Sequence, residues 1–146
     1  MLAEAERHGY AFDTVQMPLN VMDAHYRSFE RQVLPVLQAK DIGIIGMKPL
    51  GAGKILETKA ASAEECLRYA MSLPTSTVIT GCDTQERLEQ ALRVAGGFSP
   101  LGDDERRTLL ARTAPFAAEG QYERFKTSSD YDGTTRHPQW LTTADI

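Results

Sequence analysis

The chain has 146 residues, 16 of them basic and 20 acidic, which gives a formal net charge of −4. With 42% hydrophobic and 25% charged residues, its composition is typical of a globular protein, and its length fits one domain. The charge balance excludes the basic face expected of a nucleic-acid-binding protein, and the apolar runs are too short to cross a membrane.

The cysteines and the N-terminal segment favour a reducing setting. Cys66 and Cys82 lack the paired spacing of a disulfide framework. Residues 1–10, MLAEAERHGY, carry charges from residue 4 onward and so do not resemble a signal peptide. We therefore expect a cytoplasmic protein.

Three short runs along the chain are typical of β-strands. After residues 1–9, which indicate the end of a helix, these runs are DTVQMPLN (13–20), IGIIGM (42–47) and TSTVITG (75–81). The second and third are apolar almost throughout. That pattern predicts strands buried on both faces of a parallel sheet.

Helical patterns follow each of the three strands. They are SFERQVLPVLQAK (28–40), SAEECLRYAM (62–71), DTQERLEQALRVA (83–95) and a segment over 103–113. Pro35 should kink the first helix or mark its real beginning. Ser62 with Glu65 predicts a capping box, and Asp83 is the expected N-cap of the third helix. The alternation of strand and helix predicts an α/β fold with a parallel sheet.

The last 30 residues differ from the rest in composition. Residues 117–146 are polar and rich in Ser, Thr, Asp and Gly, with scattered aromatic residues that include Tyr131 and Trp140. We expect two parts: residues 1–116, which contain the βα units, and residues 117–146, an irregular tail held in place by its aromatic side chains.

The glycine-rich stretch GMKPLGAGK (46–54) follows the second strand. It is not a P-loop, because Lys48 stands where that motif needs glycine and Ile55 follows where it needs Ser or Thr. It is not the dinucleotide fingerprint either, since Leu56 occupies the place of the third glycine. Two interpretations remain: a loop whose backbone approaches a ligand, or a tight strand-to-helix turn without one.

Three segments taken in order resemble the aldo-keto reductase family. They are FDTVQMPLN (12–20), GIIGMKPLGAG (43–53) and STVITGCDTQERLEQAL (76–92). Members of that family are (β/α)8 barrels that reduce aldehydes and ketones with NADPH, without metal or flavin. The resemblance therefore implies a partial TIM barrel, with three parallel βα units that correspond to strands six to eight, a C-terminal helix and the tail.

The resemblance also implies a set of NADP(H)-binding residues. Gln16 resembles a glutamine that binds the nicotinamide carboxamide, although a structural role inside the fold is the alternative. Met47 stands where the family usually has an aromatic residue stacked on the nicotinamide. Arg87 matches an arginine that binds the adenosine 2′-phosphate, and a surface arginine is its alternative interpretation. The remaining expected contacts are Lys48, Leu50, Gly51 and Gly53 near the pyrophosphate, and Gly81, Cys82 and Gln90 near the adenosine.

The family's catalytic Asp, Tyr, Lys and His come from strands that these segments do not include. We therefore expect no catalytic residue and no metal site in this chain. The implied function is an NADP-dependent oxidoreductase present as a fragment: it binds the cofactor more weakly than a complete barrel, and without the missing half it does not reduce a carbonyl substrate. The alternative is a catalytically silent nucleotide-binding or assembly fragment. Open sheet edges predict a homo-oligomer, with no nucleic acid or membrane partner.

Overall fold

Three parallel strands form the sheet of this α/β protein, as the sequence predicted. The structure is a computed structural model that describes the backbone of residues 2–141 and the side chains of residues 2–139. The strands are β1 (Thr14–Pro18), β2 (Gly43–Met47) and β3 (Thr77–Val78), and they lie in the order β1-β2-β3. β1 pairs along its whole length with β2, whereas β3 pairs with β2 only through Thr77 and Val78.

The prediction of a partial (β/α)8 TIM barrel is wrong. The described residues form a small α/β protein with an open three-stranded sheet, and they do not show a barrel fragment. A barrel encloses layers of strand side chains in its interior. Here the buried side chains lie mostly outside the strands, in the segment after β1 and in the helices. The barrel was implied by the resemblance, whereas the βα rhythm predicted only an α/β fold with a parallel sheet, which the structure has.

The helices follow the predicted patterns, with corrected ends. Their bounds are α1 (Leu2–Arg7), α2 (Phe29–Gln32), α3 (Leu34–Ala39), α4 (Lys54–Glu57), α5 (Ala63–Ser72), α6 (Gln85–Gly96), α7 (Asp103–Ala117) and α8 (Gly133–Arg136). Pro35 lies in the first turn of α3, so it marks the beginning of a second helix as expected. Within residues 2–141 no helix has the length and apolar content needed to cross a bilayer.

The predicted capping box of α5 is confirmed, and the predicted N-cap of α6 is wrong. Ser62 and Glu65 form the capping box that begins α5. The N-cap of α6 is Thr84 and not Asp83, because the Thr84 hydroxyl accepts the backbone N–H of Arg87. Helix α7 continues through Pro115 to Ala117, beyond the predicted end at residue 113.

The hydrophobic core is built around the chain that leaves β1. Leu19, Val21 and Met22 are at most 1% exposed. They belong to the same cluster as buried side chains of the helices, which are Leu37 of α3, Ile55 of α4, Cys66 and Tyr69 of α5, and Leu109 of α7. Each such side chain contributes about 1.5–3 kcal/mol through burial. The core therefore joins the segment after β1 to helices α3, α4, α5 and α7.

The beginning of the tail is held by a buried ionic cluster. The Lys126 ammonium donates to Asp23 Oδ1 (2.5 Å), to Glu123 Oε2 (2.8 Å) and to the Tyr26 carbonyl (2.8 Å). The side chains of Lys126, Asp23 and Glu123 are at most 3% exposed. Burial raises the pKa of Glu123, and the ammonium of Lys126 opposes that rise. The cluster joins the tail to the segment that follows β1.

A close approach at Gly120 makes this connection possible. Its φ is +68°, and a Cβ placed there would lie 2.5 Å from the Tyr26 ring. Farther along, 3-10 turns over residues 124–126 and 129–131 precede α8. Of the tail's aromatic residues, Tyr122 packs against the hydrophobic core and Phe125 contacts Lys48 and Lys126, whereas Tyr131 is 56% exposed. The Trp140 side chain lies outside the described residues.

Candidate functional site

A cavity of about 560 Å³ lies at the carboxyl ends of the three strands. Its lining comes from β1, from the end of β2 with the loop and helix α4 that follow, and from the segment after β3 with the first turn of α6. The residues are Gln16, Met47, Lys48, Pro49, Leu50, Ala52, Gly53, Leu56, Ile79, Thr80, Gly81, Asp83 and Arg87. The volume is within the range usual for small-molecule sites. Ligands of open parallel α/β folds bind outside this edge of the sheet.

Seven of the ten residues predicted for cofactor binding line this one cavity. They are Gln16, Met47, Lys48, Leu50, Gly53, Gly81 and Arg87. Gly51 is buried beneath the loop, where a Cβ would lie 2.9 Å from Ile55. Cys82 is exposed and lines a different groove between α5 and α6, and Gln90 is half-buried in α6 outside the cavity lining.

The loop after β2 has an unusual backbone. Four of its residues have positive φ: Lys48 (+53°), Gly51 (+55°), Ala52 (+56°) and Gly53 (+85°). A side chain in this region costs about 1–2 kcal/mol, so Lys48 and Ala52 hold a conformation that the rest of the fold must stabilise. Such strain tends to occur at ligand sites, which favours the first of the two sequence interpretations of the loop.

Several polar groups of this loop already have partners within the protein. The N–H groups of Gly51 and Gly53 donate to the carbonyls of Lys48 and Leu50 in tight turns. The Lys48 ammonium lies 5.2 Å from the ring centre of Phe125 in the tail, a cation–π contact. An anion in the cavity would therefore depend mainly on side-chain cations.

Gln16 and Met47 form one side of the cavity. The Gln16 side-chain amide donates to the Met47 sulfur at 3.0 Å. A thioether is a weak acceptor, so a ligand amide or carbonyl can replace it at little cost. Gln16 is exposed, which argues against the alternative that it is a satisfied polar group inside the fold.

Arg87 and Asp83 lie on the opposite side of β2 from Gln16. One Arg87 nitrogen, Nη1, is 2.5 Å from Asp83 Oδ1 and 2.6 Å from Oδ2. This hydrogen bond holds the pKa of Asp83 below its usual range. Both side chains are well exposed, at 60% for Arg87 and 69% for Asp83. The cavity thus brings a cation and a competing anion to the same wall.

Sequence reasoning missed Asp83 as part of this site because it assigned the residue to helix capping. A signal was present, since Asp83 precedes Arg87 by four residues, the spacing of a helical ion pair. It also missed Ile79 and Thr80, which reach the cavity because β3 ends at Val78 and the chain continues irregularly.

The lining that the structure describes contains no Tyr, His or Cys side chain. His25 contacts the Thr113 hydroxyl of α7 at 3.0 Å through its Nε2 atom. Burial holds the pKa of His25 below its usual range, with the charge of Arg31 acting in the same direction. His25 thus serves the packing of α7 and not the cavity.

In comparisons with known proteins, no family model and no curated protein matches this chain. The resemblance to aldo-keto reductases therefore depends on the three sequence segments alone.

Proposed function

We propose that the cavity binds NADP(H) and that this chain supplies the cofactor site for carbonyl reduction of the aldo-keto reductase type. The observation that supports this proposal is the convergence of Gln16, the loop over residues 47–53 and Arg87 on one cavity at the carboxyl edge of the sheet. The resemblance to aldo-keto reductases implies the same residues from the sequence alone. Residues far apart in the sequence reach one cavity only if the fold brings them there.

The described residues suit such a cofactor in three respects. The amide of Gln16 can bind a carboxamide, and the guanidinium of Arg87 matches the geometry of a phosphate. Between them, Gly53 and Gly81 leave open space, since a Cβ at either position would meet nothing within 4 Å. That space admits the extended body of a dinucleotide.

Carbonyl reduction needs both a hydride and a proton. Bound NADPH would supply the hydride. The described lining contains no Tyr, His or Cys side chain, and its Lys48 and Asp83 are engaged by Phe125 and Arg87, so the proton would come from outside the lining. We therefore propose that residues 2–141 bind the cofactor without turnover, and that a carbonyl substrate reacts only when another polypeptide segment or subunit provides the donor.

Calorimetric titration with NADPH tests the proposal directly. We expect saturable binding at one site per chain and no oxidation of NADPH when a simple aldehyde is added. Turnover by this chain alone would contradict the proposed division of function. The absence of any heat or nicotinamide fluorescence change would exclude the binding function and favour the alternative of an assembly fragment without a ligand.

We further propose that two copies associate through the free edge of β1. The β1 side chains line an apolar groove of about 620 Å³ together with Phe29 and Val33. The Asp13 carbonyl and the Leu19 N–H form hydrogen bonds with Gly43 and Met47 on the β2 side. Because the backbone groups of successive strand residues point to alternate sides, those of Thr14 and Gln16 point to the free edge. Unpaired strand edges beside apolar surface promote association.

A lysine at the edge should weaken this association. We expect Thr14→Lys to raise the dimer dissociation constant about tenfold, because a charge at an edge strand would be desolvated in the interface. Sedimentation velocity over a range of concentrations measures this change. Thr108→Lys, an equal change at an exposed position of α7, is the control and should leave the distribution unaltered. A wild-type monomer at all concentrations would contradict the proposal.

We also propose a cytoplasmic location, which the two free cysteines favour.

A further inference from the structure

The ion pair between Asp83 and Arg87 has no evident structural role. Both side chains are mostly exposed, and a pair of this kind contributes little to folding. The beginning of α6 does not depend on the Asp83 carboxylate, since Thr84 provides the cap. The pair nevertheless lies in the wall of the cavity, where both residues are part of the lining.

Asp83 occupies Arg87 in the way that a phosphate would. Both carboxylate oxygens lie within 2.6 Å of the same guanidinium nitrogen. A carboxylate and a phosphate oxygen have the same requirement, a charged N–H donor, so the two anions compete for Arg87. A phosphate that displaced Asp83 would also remain close to its negative charge.

We propose that Asp83 is a specificity-determining residue that competes with the ligand for Arg87. It thereby lowers the preference of the cavity for a dinucleotide with an adenosine 2′-phosphate over one without it. This inference rests on the proposed function, because it assumes that a pyridine dinucleotide occupies the cavity. Asp83 acts through Arg87 and has no contact with the ligand in this role. Its removal should therefore change the ratio of two affinities, which a structural role would not do.

The experiment compares NADPH and NADH binding by calorimetry in the wild type and in Asp83→Asn. Asparagine keeps the size of the side chain and removes its charge. We expect NADPH to bind about two- to fivefold more tightly to the variant and NADH to change by less than about 1.5-fold. The control is Asp104→Asn, which removes the same charge from a similar exposed pair with Arg107 on α7 and should alter neither affinity.

A double-mutant cycle with Arg87→Ala completes the test. In the Arg87→Ala background, the substitution Asp83→Asn should improve NADPH binding much less than in the wild type, because competition for Arg87 is absent and only the direct repulsion of the phosphate remains. An undiminished improvement there, an equal improvement for both cofactors, or no improvement in the single variant would each overturn the proposal. If the wild type binds NADH or NADPH and only the ratio fails to change, the proposed function stands and this inference falls. If no variant binds either cofactor, both fall.

Discussion

Replacing Lys126 with methionine is expected to lower the free energy of unfolding by about 3–5 kcal/mol, the usual cost of removing one partner from a buried ion pair. The ammonium is almost fully buried and satisfies two carboxylates at once, those of Asp23 and Glu123. Methionine preserves the length and apolar volume of the side chain but leaves the two acids facing each other without a cation. Since small domains are stable by about 5–15 kcal/mol, this loss is a large part of the total.

The measurement is urea unfolding of the wild type and the variant, with Lys54→Met as the matched control. Lys54 also pairs with a glutamate three residues away, Glu57, but both side chains are 60% exposed. We expect the control to lose less than about 1 kcal/mol. A comparable loss in both variants would show that burial of the Lys126 cluster has no special effect.

The pH dependence of the free energy of unfolding distinguishes the effect of losing the Lys126 charge from the effect of losing its packing. Burial already raises the pKa of Glu123, and loss of the neighbouring ammonium would raise that pKa further. A carboxyl group with a raised folded-state pKa stabilises the fold at low pH and loses that contribution as pH rises through the raised value. The deficit of Lys126→Met should therefore shrink between pH 7 and pH 5. A constant deficit would indicate lost packing and not an unpaired charge.

The second large effect is expected at Arg87. We predict that Arg87→Ala weakens NADPH binding about 10- to 100-fold and NADH binding by less than about threefold, because a charged hydrogen bond to phosphate is available only in the first case. In the ligand-free structure this guanidinium is held by Asp83, so part of its interaction with phosphate replaces an existing pair. That exchange favours the lower end of the range.

Parallel calorimetric titrations with the two cofactors measure this prediction, with Arg93→Ala as the control. Arg93 is an exposed arginine in the last turn of the same helix and is not among the residues that line the cavity. Its removal changes the net charge equally and should leave the cofactor ratio unaltered. Equal losses of NADPH and NADH affinity in Arg87→Ala would remove the 2′-phosphate assignment.

Much of the local structure could be predicted because its causes are local. The apolar run IGIIGM became β2, Ser62 with Glu65 began α5, and Pro35 separated α2 from α3. In each case the deciding interaction lies within a few residues of chain. Even here the sequence predicted Asp83 as the N-cap of α6, whereas the Thr84 hydroxyl accepts the backbone N–H and the Asp83 carboxylate pairs with Arg87.

In the candidate site, too, residue types could be predicted from the sequence and contacts could not. The resemblance implied Gln16, the glycine-rich loop and Arg87 as cofactor contacts, and seven of the ten predicted positions line one cavity. It did not indicate that the loop N–H groups of Gly51 and Gly53 are used within the loop. Nor did it reveal that Asp83 opposes Arg87. These facts depend on backbone angles and side-chain distances that residue types alone do not specify.

By itself, then, the amino-acid sequence determined the strand and helix alternation, the parallel direction of the strands and the chemistry available at their carboxyl ends. Only the tertiary structure decided that the described sheet is open and not part of a barrel, that β3 contributes two residues, and that Lys126 buries its charge beside Asp23, which lies 103 positions away in the chain. The physical reason is the range of the interactions. Propensity, capping and alternation act between neighbours, whereas sheet closure and buried ion pairs depend on which distant segments share the same core.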